Sequence, residues 1–170
     1  MTIKSERGFS ILELIIYIAI FAVISTAAVD MALNLNAGWT KSKVESEVQQ
    51  NLRFAMEAIA QSVQNASAVT IPAAGASGNS LTLVSDGQTI QFFLTGTMLQ
   101  KQIGANPAEN ITTDKVKITY VNFRTLQNTA SSNSGIIATT TEFAMRVEYN
   151  SSETQFSYAQ NATSTERIRN

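Results

Sequence analysis

Apolar and polar residues alternate along this chain in three successive regimes. From Phe9 to Val29 the sequence is almost continuously apolar, interrupted only by Ser10, Glu13, Ser25 and Thr26. As a helix at 1.5 Å per residue that run is about 31 Å long, close to the hydrocarbon thickness of a bilayer. Asp30 marks its end. Beyond it Val44, Val48, Leu52, Ala55, Ile59, Val63 and Ala66 recur at spacings of four and three, one apolar stripe on a helix. Lys41, Lys43, Glu45, Glu47, Gln50, Arg53, Glu57 and Gln64 fall mostly off that stripe. The pattern predicts a helix over 9–66, with Gly38 as a point where it bends or unwinds. Pro72 and the run Ala73-Ala74-Gly75-Ala76-Ser77-Gly78 lie beyond its end.

The third regime has period two. Leu81-Thr82-Leu83 and Thr89 to Leu94 flank Ser85-Asp86-Gly87-Gln88, and Asp-Gly is a strong hairpin signal. Thr95-Gly96-Thr97 offers a second turn into Met98 to Ile103. Lys115 to Phe123 alternates with Val116, Ile118 and Tyr120 on one face; Phe143, Met145, Val147 and Tyr149 do the same later. Leu126 to Gly135 is polar and aperiodic, and reads as an exposed loop. Phe156 and Tyr158 suggest one more strand before a polar tail ending Glu166-Arg167-Ile168-Arg169-Asn170. Strands without intervening helices imply a meander laid on the helix stripe, hence an α+β fold. The boundaries expected are a cytoplasmic leader over 1–8, a membrane segment over 9–30, an amphipathic continuation over 31–66 and a β-rich domain over 67–170.

Composition narrows the chemistry. Neither cysteine nor histidine occurs in the 170 residues. Disulfides, thiolate or imidazole metal sites, and Ser–His–Asp or Cys–His nucleophilic centres are thereby excluded. Charged residues are 15%, against roughly 25% in ordinary soluble domains. A net charge of −1 gives no basic footprint for nucleic acid. Asp86, Glu109 and Asp114 are the nearest approach to a hard-cation cluster, on separate loops, and read as solvated turn carboxylates. No cofactor, metal or enzymatic activity is expected.

The single carboxylate inside the membrane run needs a reason, because a charge at the centre of a membrane helix costs roughly 2.5–3.5 kcal/mol on insertion scales. Lys4 and Arg7 precede it, so the leader stays cytoplasmic and the C-terminus is sent outward. A secretory signal with an apolar core from Leu14 to Ile24 and a Ser25-Thr26-Ala27 cleavage site is a competing reading. Against it stand an apolar run, Phe9 to Val29, longer than a usual signal core and a carboxylate placed inside that run. A second alternative has Glu13 snorkelling to the cytoplasmic headgroups.

The segment Lys-Ser-Glu-Arg-Gly-Phe-Ser-Ile-Leu-Glu, residues 4–13, followed by the apolar run, resembles the N-terminus of type IV pilins and pseudopilins. The resemblance implies cleavage between Gly8 and Phe9 by a membrane prepilin peptidase that also N-methylates Phe9. Glu13 then takes the place of the family's glutamate, the fifth mature residue. It would pair with the Phe9 α-amine of a neighbouring subunit and set register more than add stability. Further along, Asn-Leu-Arg-Phe-Ala-Met-Glu-Ala-Ile and the Ser-Asp-Gly-Gln hairpin are similar to minor pseudopilins of the J type, a looser likeness resting on element order. The mid-segment proline of major pilins is missing, as are the paired cysteines of many type IV pilins. Glu13 argues against the K-type cap subunit.

What the resemblance implies is a minor structural subunit of a type II secretion pseudopilus or type IV pilus, at the filament tip in the J-type case. It would be anchored by one span in the inner membrane, with its C-terminal domain outside the cytoplasm. Its partners would be the prepilin peptidase/methyltransferase, other pilin-like subunits, an inner-membrane assembly platform and membrane lipid. The alternative is an anchored or secreted β-rich module that binds a ligand through the loop 126–135. Four Asn-x-Ser/Thr matches, at Asn65, Asn110, Asn150 and Asn161, read mainly as chance in an Asn/Ser/Thr-rich chain. Trp39 and Met31 are candidate interfacial anchors, with packing into a neighbouring helix bundle an equal alternative for Trp39.

Overall fold

The computed structural model describes residues 10–129, 136–152 and 157–169. Helix α1, Ile11–Gln64, comprises 54 residues, about 81 Å at 1.5 Å per residue. Its ladder begins at the Ser10 carbonyl, which accepts from the Leu14 N–H at 3.1 Å. It runs through Gly38 without interruption, so the break expected there is not formed. The chain divides into two compact units, Met1–Ser42 and Lys43–Asn170.

In the second unit the stripe read from the sequence is the helix's buried face. Val44, Val48, Leu52, Ala55, Ile59, Val63 and Ala66 are all buried. Among the described residues nine strands follow: β1 Ala68–Ile71, β2 Ser77–Gly78, β3 Leu81–Ser85, β4 Gln88–Thr95, β5 Met98–Ile103, β6 Glu109–Asn110, β7 Val116–Thr129, β8 Ile136–Tyr149 and β9 Ala159–Arg167. They form two antiparallel sheets, ordered β1-β3-β4-β5-β6 and β2-β7-β8-β9. The first supplies Leu81, Leu83, Phe92 and Leu99 to the core, and the second Val116, Ile118, Val121, Phe123, Phe143, Met145 and Val147. The helix stripe packs with both sets in one cluster. The fold is α+β, as expected, with two sheets in place of a single meander.

Turn chemistry fixes the first hairpin. Ser85 pairs with Gln88, and the two residues between them, Asp86 and Gly87, have φ of 51° and 74°. Two consecutive positive φ values are the requirement of the turn that matches strand twist.

Three expectations are corrected. Tyr120 does not share the face of Val116 and Ile118: the register shifts between Ile118 and Tyr120, leaving Thr119 as the extra residue of a bulge. The bulge turns Tyr120 to solvent and hands the inner face to Val121, Phe123 and Thr125. Leu126 to Thr129 belong to β7, where Leu126 pairs with Thr140 and Gln127 with Thr139, so the expected loop is shorter at this end. Residues 130–135 of that loop lie outside the described residues. The polar stretch expected as a tail is β9, whose register on β8 runs from Ala159↔Glu148 to Arg167↔Thr140. Tyr158 precedes it, and Phe156 lies outside the described residues.

Candidate membrane and assembly segment

Among the described residues, α1 is the one helix long and apolar enough to cross a membrane, and its apolar window has none of its residues buried within the protein. Leu12, Ile15, Tyr17, Ile18, Phe21 and Ile24 all stand exposed, Phe21 by 71%. Water does not tolerate so large a contiguous apolar surface on a single helix. Its backbone groups are satisfied internally, as a lipid environment demands. The polar side chains within and beyond the run follow the same rule. Thr26 Oγ1 donates to the Val23 carbonyl at 2.9 Å, and Thr40 Oγ1 to the Asn36 carbonyl at 3.0 Å.

Glu13 lies in the first turn of α1, where the positive end of the helix dipole favours a carboxylate. It accepts a hydrogen bond of 3.2 Å from the Tyr17 hydroxyl, one turn further on. Sequence reading singled out Glu13 and passed over Tyr17, although a separation of four residues on a helix was enough to pair them. Gly8 and Phe9 lie outside the described residues. Trp39 is 74% exposed and Met31 is exposed beside the same segment.

In the second unit Lys101 Nζ donates to Ser62 Oγ at 3.3 Å, a Ser–Lys approach. Ser62 is buried and donates in turn to the Ala58 carbonyl at 2.8 Å, while Lys101 lies 5.6 Å from the Phe92 ring centroid. A hydroxyl tied to its own helix and covered by a lysine stem is a packing contact, not an exposed nucleophile. No group of three acidic side chains able to hold a metal ion occurs among the described residues. Asp86 sits on the β3–β4 turn, Glu109 in β6, and Asp114 just before β7. The Asn150 amide donates to the Asp114 carbonyl at 2.7 Å, and Thr112 is buried and accepts from the Leu99 N–H at 3.1 Å. Two of the glycosylation-like matches are thus engaged in holding the domain.

A groove of about 880 Å³ runs between α1 and β9, lined by residues that include Leu52, Arg53, Met56, Gln160, Ala162 and Ser164. Its two serines are engaged, Ser46 Oγ accepting from Gln50 Nε2 at 3.1 Å and Ser164 Oγ donating to Glu166 at 3.3 Å. One buried polar residue of α1 escaped sequence reading. Asn51 donates to the Glu47 carbonyl at 2.9 Å and accepts from the Thr113 N–H at 2.9 Å, tying the helix to the segment before β7. Lys115 lies 3.7 Å from Glu47 in the same corner.

Residues 3–29 match the family described as the prokaryotic N-terminal methylation motif. The match covers Gly8, Phe9, Glu13 and the apolar half of α1, and supports a type IV pilin-like assignment of this segment. No curated protein and no solved structure matches the chain.

Proposed function

We propose that this chain is a minor structural subunit of a type IV pilus or type II secretion pseudopilus. It enters the inner membrane through the first half of α1 with its β-rich domain outside the cytoplasm. Prepilin peptidase cuts between Gly8 and Phe9 and methylates the new N-terminus. The assembly platform then draws the subunit into a filament. The observation that carries the reading is the coincidence of the methylation motif at residues 3–29 with an unburied apolar helix bearing one carboxylate in its first turn.

The physical logic is pairing of charges in a low-dielectric medium. Cleavage leaves a cationic α-amine on Phe9, and Glu13 of an adjacent subunit supplies the anion. A subunit docked out of register leaves both charges unpaired in lipid, which is far costlier than the correct pair is favourable. The apolar side chains of α1 then exchange lipid for neighbouring helices. A J-like place in a tip complex accords with the loose likeness of residues 49–170 to that group and with the absence of cysteine.

Two measurements test this. Mass spectrometry of the chain from its host's membranes should find an N-terminus at Phe9 carrying one added methyl group. A chain beginning at Ala28, or still at Met1, refutes the processing. Glu13→Ala should insert and be cleaved but not enter filaments; unchanged assembly refutes the pairing. A membrane-anchored ligand-binding module is the second reading, favoured by the groove beside β9.

A further inference from the structure

From Ser10 to Val29 the sequence contains a single ionisable acid or base among Asp, Glu, Lys and Arg, namely Glu13, and a single tyrosine, Tyr17. The two are four residues apart on an unbroken helix, so their side chains leave the same face. Helical side chains tilt toward the N-terminus, which leans the Tyr17 ring back over the turn carrying Glu13. The hydroxyl reaches Glu13 Oε1 at 3.2 Å. Both side chains are exposed on the apolar half of α1, which the proposed function assigns to lipid.

We infer that Tyr17 is a positioning residue for Glu13: it holds the carboxylate within the membrane segment, aimed for the incoming amine of a neighbouring subunit. This rests on the assembly role proposed above for Glu13. In water a tyrosine–carboxylate contact of this length is readily exchanged for solvent. In lipid neither group has a water to turn to, so a bond between them is not lost to solvent. The direction of the bond matters. A carboxylate near the start of the span can reach outward to the cytoplasmic headgroups, where it is solvated and useless for register. A hydrogen bond from a residue deeper in the helix draws it the other way.

The stoichiometry also fits. An ionised carboxylate has two oxygens and about four acceptor sites. Tyr17 occupies one site on Oε1 and leaves Oε2 for the ammonium, so the tyrosine need not be displaced when the subunits join. The ring fixes the rotamer before docking, which lowers the ordering cost at the moment of assembly.

The test separates the hydroxyl from the ring. Tyr17→Phe keeps the aromatic bulk and removes the donor; Tyr17→Gln removes the ring and restores an N–H donor at the same spacing. Each full-length variant is co-expressed with wild type and recovered from membranes and from filaments, with cleavage at Gly8–Phe9 checked by mass spectrometry. Tyr17→Phe is expected to insert and be cleaved normally but to enter filaments about tenfold less, the scale of one hydrogen bond to a charged group. Tyr17→Gln should stay within about threefold of wild type. Infrared spectra of the isolated subunit in lipid bilayers give a readout independent of assembly. The Glu13 carboxyl band, identified by its loss in Glu13→Gln, should move in Tyr17→Phe.

Incorporation of Tyr17→Phe at wild-type level, a Glu13 band unmoved by it, or a Tyr17→Gln subunit as defective as Tyr17→Phe each overturns the inference. Glu13→Ala distinguishes the levels of failure. If it blocks assembly while Tyr17→Phe does not, only the positioning role falls. If it assembles normally, the pairing and the positioning role fall together.

Discussion

Two threonines on the inner face of the second sheet are buried with hydroxyls that find no hydrogen-bond partner among the described residues. These are Thr125 and Thr141, each 0% exposed. They are cross-strand partners in the β7–β8 ladder, so the two unsatisfied hydroxyls sit side by side. A buried hydroxyl that gives up water and gains nothing costs about 1–3 kcal/mol. Valine has nearly the same shape and the same β-branching, so Thr→Val changes neither the strand preference nor the side-chain entropy much. Each single replacement should therefore stabilise the domain by about 1–2 kcal/mol. At this chain length that raises the midpoint of thermal unfolding by about 3–6 °C. The double variant should exceed either single, though by less than their sum, since the sites touch. Scanning calorimetry or urea unfolding of the full chain in detergent, followed by the far-ultraviolet sheet signal, measures both. A loss of 1 kcal/mol or more in Thr141→Val refutes the reasoning, because it means the hydroxyl has a partner, such as an internal water, whose bond the variant breaks.

Further outcomes follow from contacts elsewhere in the domain. Asn51→Ala removes the acceptor of the Thr113 N–H and should cost about 1–2 kcal/mol by the same unfolding assay, and Asn51→Asp, which keeps that acceptor but sets a buried carboxylate against the Glu47 carbonyl, should cost at least as much. Gly87, at φ 74° in the β3–β4 turn, should lose about 1 kcal/mol as Gly87→Ala, although nothing lies within 4 Å of the added Cβ. Gly38 also has open space around an added Cβ and lies within a helix, so Gly38→Ala should stabilise α1 by about 1 kcal/mol, seen as increased helical signal on thermal melting. A destabilised Gly38→Ala would mean that this position needs its flexibility.

How legible the molecule was depended on how far each element relies on large apolar residues. The stripe from Val44 to Ala66 was plain because a helix packing on two sheets needs one continuous apolar face. The Asp86-Gly87 hairpin was plain because its backbone demands particular residues. β9 was hidden: Ala-Gln-Asn-Ala-Thr-Ser-Thr-Glu-Arg contains no large apolar side chain, since Ala162 and Ser164 border a groove instead of filling the core. The bulge at Thr119 was hidden because an alternating pattern shows no inserted residue until the partner strand is in place. Val121 and Phe123, read again from the far side of that bulge, continue the alternation in the opposite phase. Of the candidate membrane segment, the apolar run and Glu13 were evident from the sequence pattern. Tyr17 was not, since an aromatic residue in a membrane span has an ordinary lipid-facing explanation that only the hydrogen bond displaces. Asn51 was missed for a related reason, being a polar residue on a helix whose charged neighbours point to solvent.

The closing contacts of β9 bear on the order in which the domain can be completed. The Arg169 N–H donates to the Gln64 carbonyl at 3.2 Å, and the Gln64 side chain donates to Glu166 at 2.8 Å. The end of α1 is thus satisfied by residues that leave the ribosome only after β1 to β8 have been made. Until they arrive, β8 has one open edge and the helix has dangling carbonyls, both of which invite wrong partners. A nascent chain held in the membrane by its first helix would be kept apart from its fellows through that interval. Anchoring would then act as a safeguard during synthesis as well as a means of assembly.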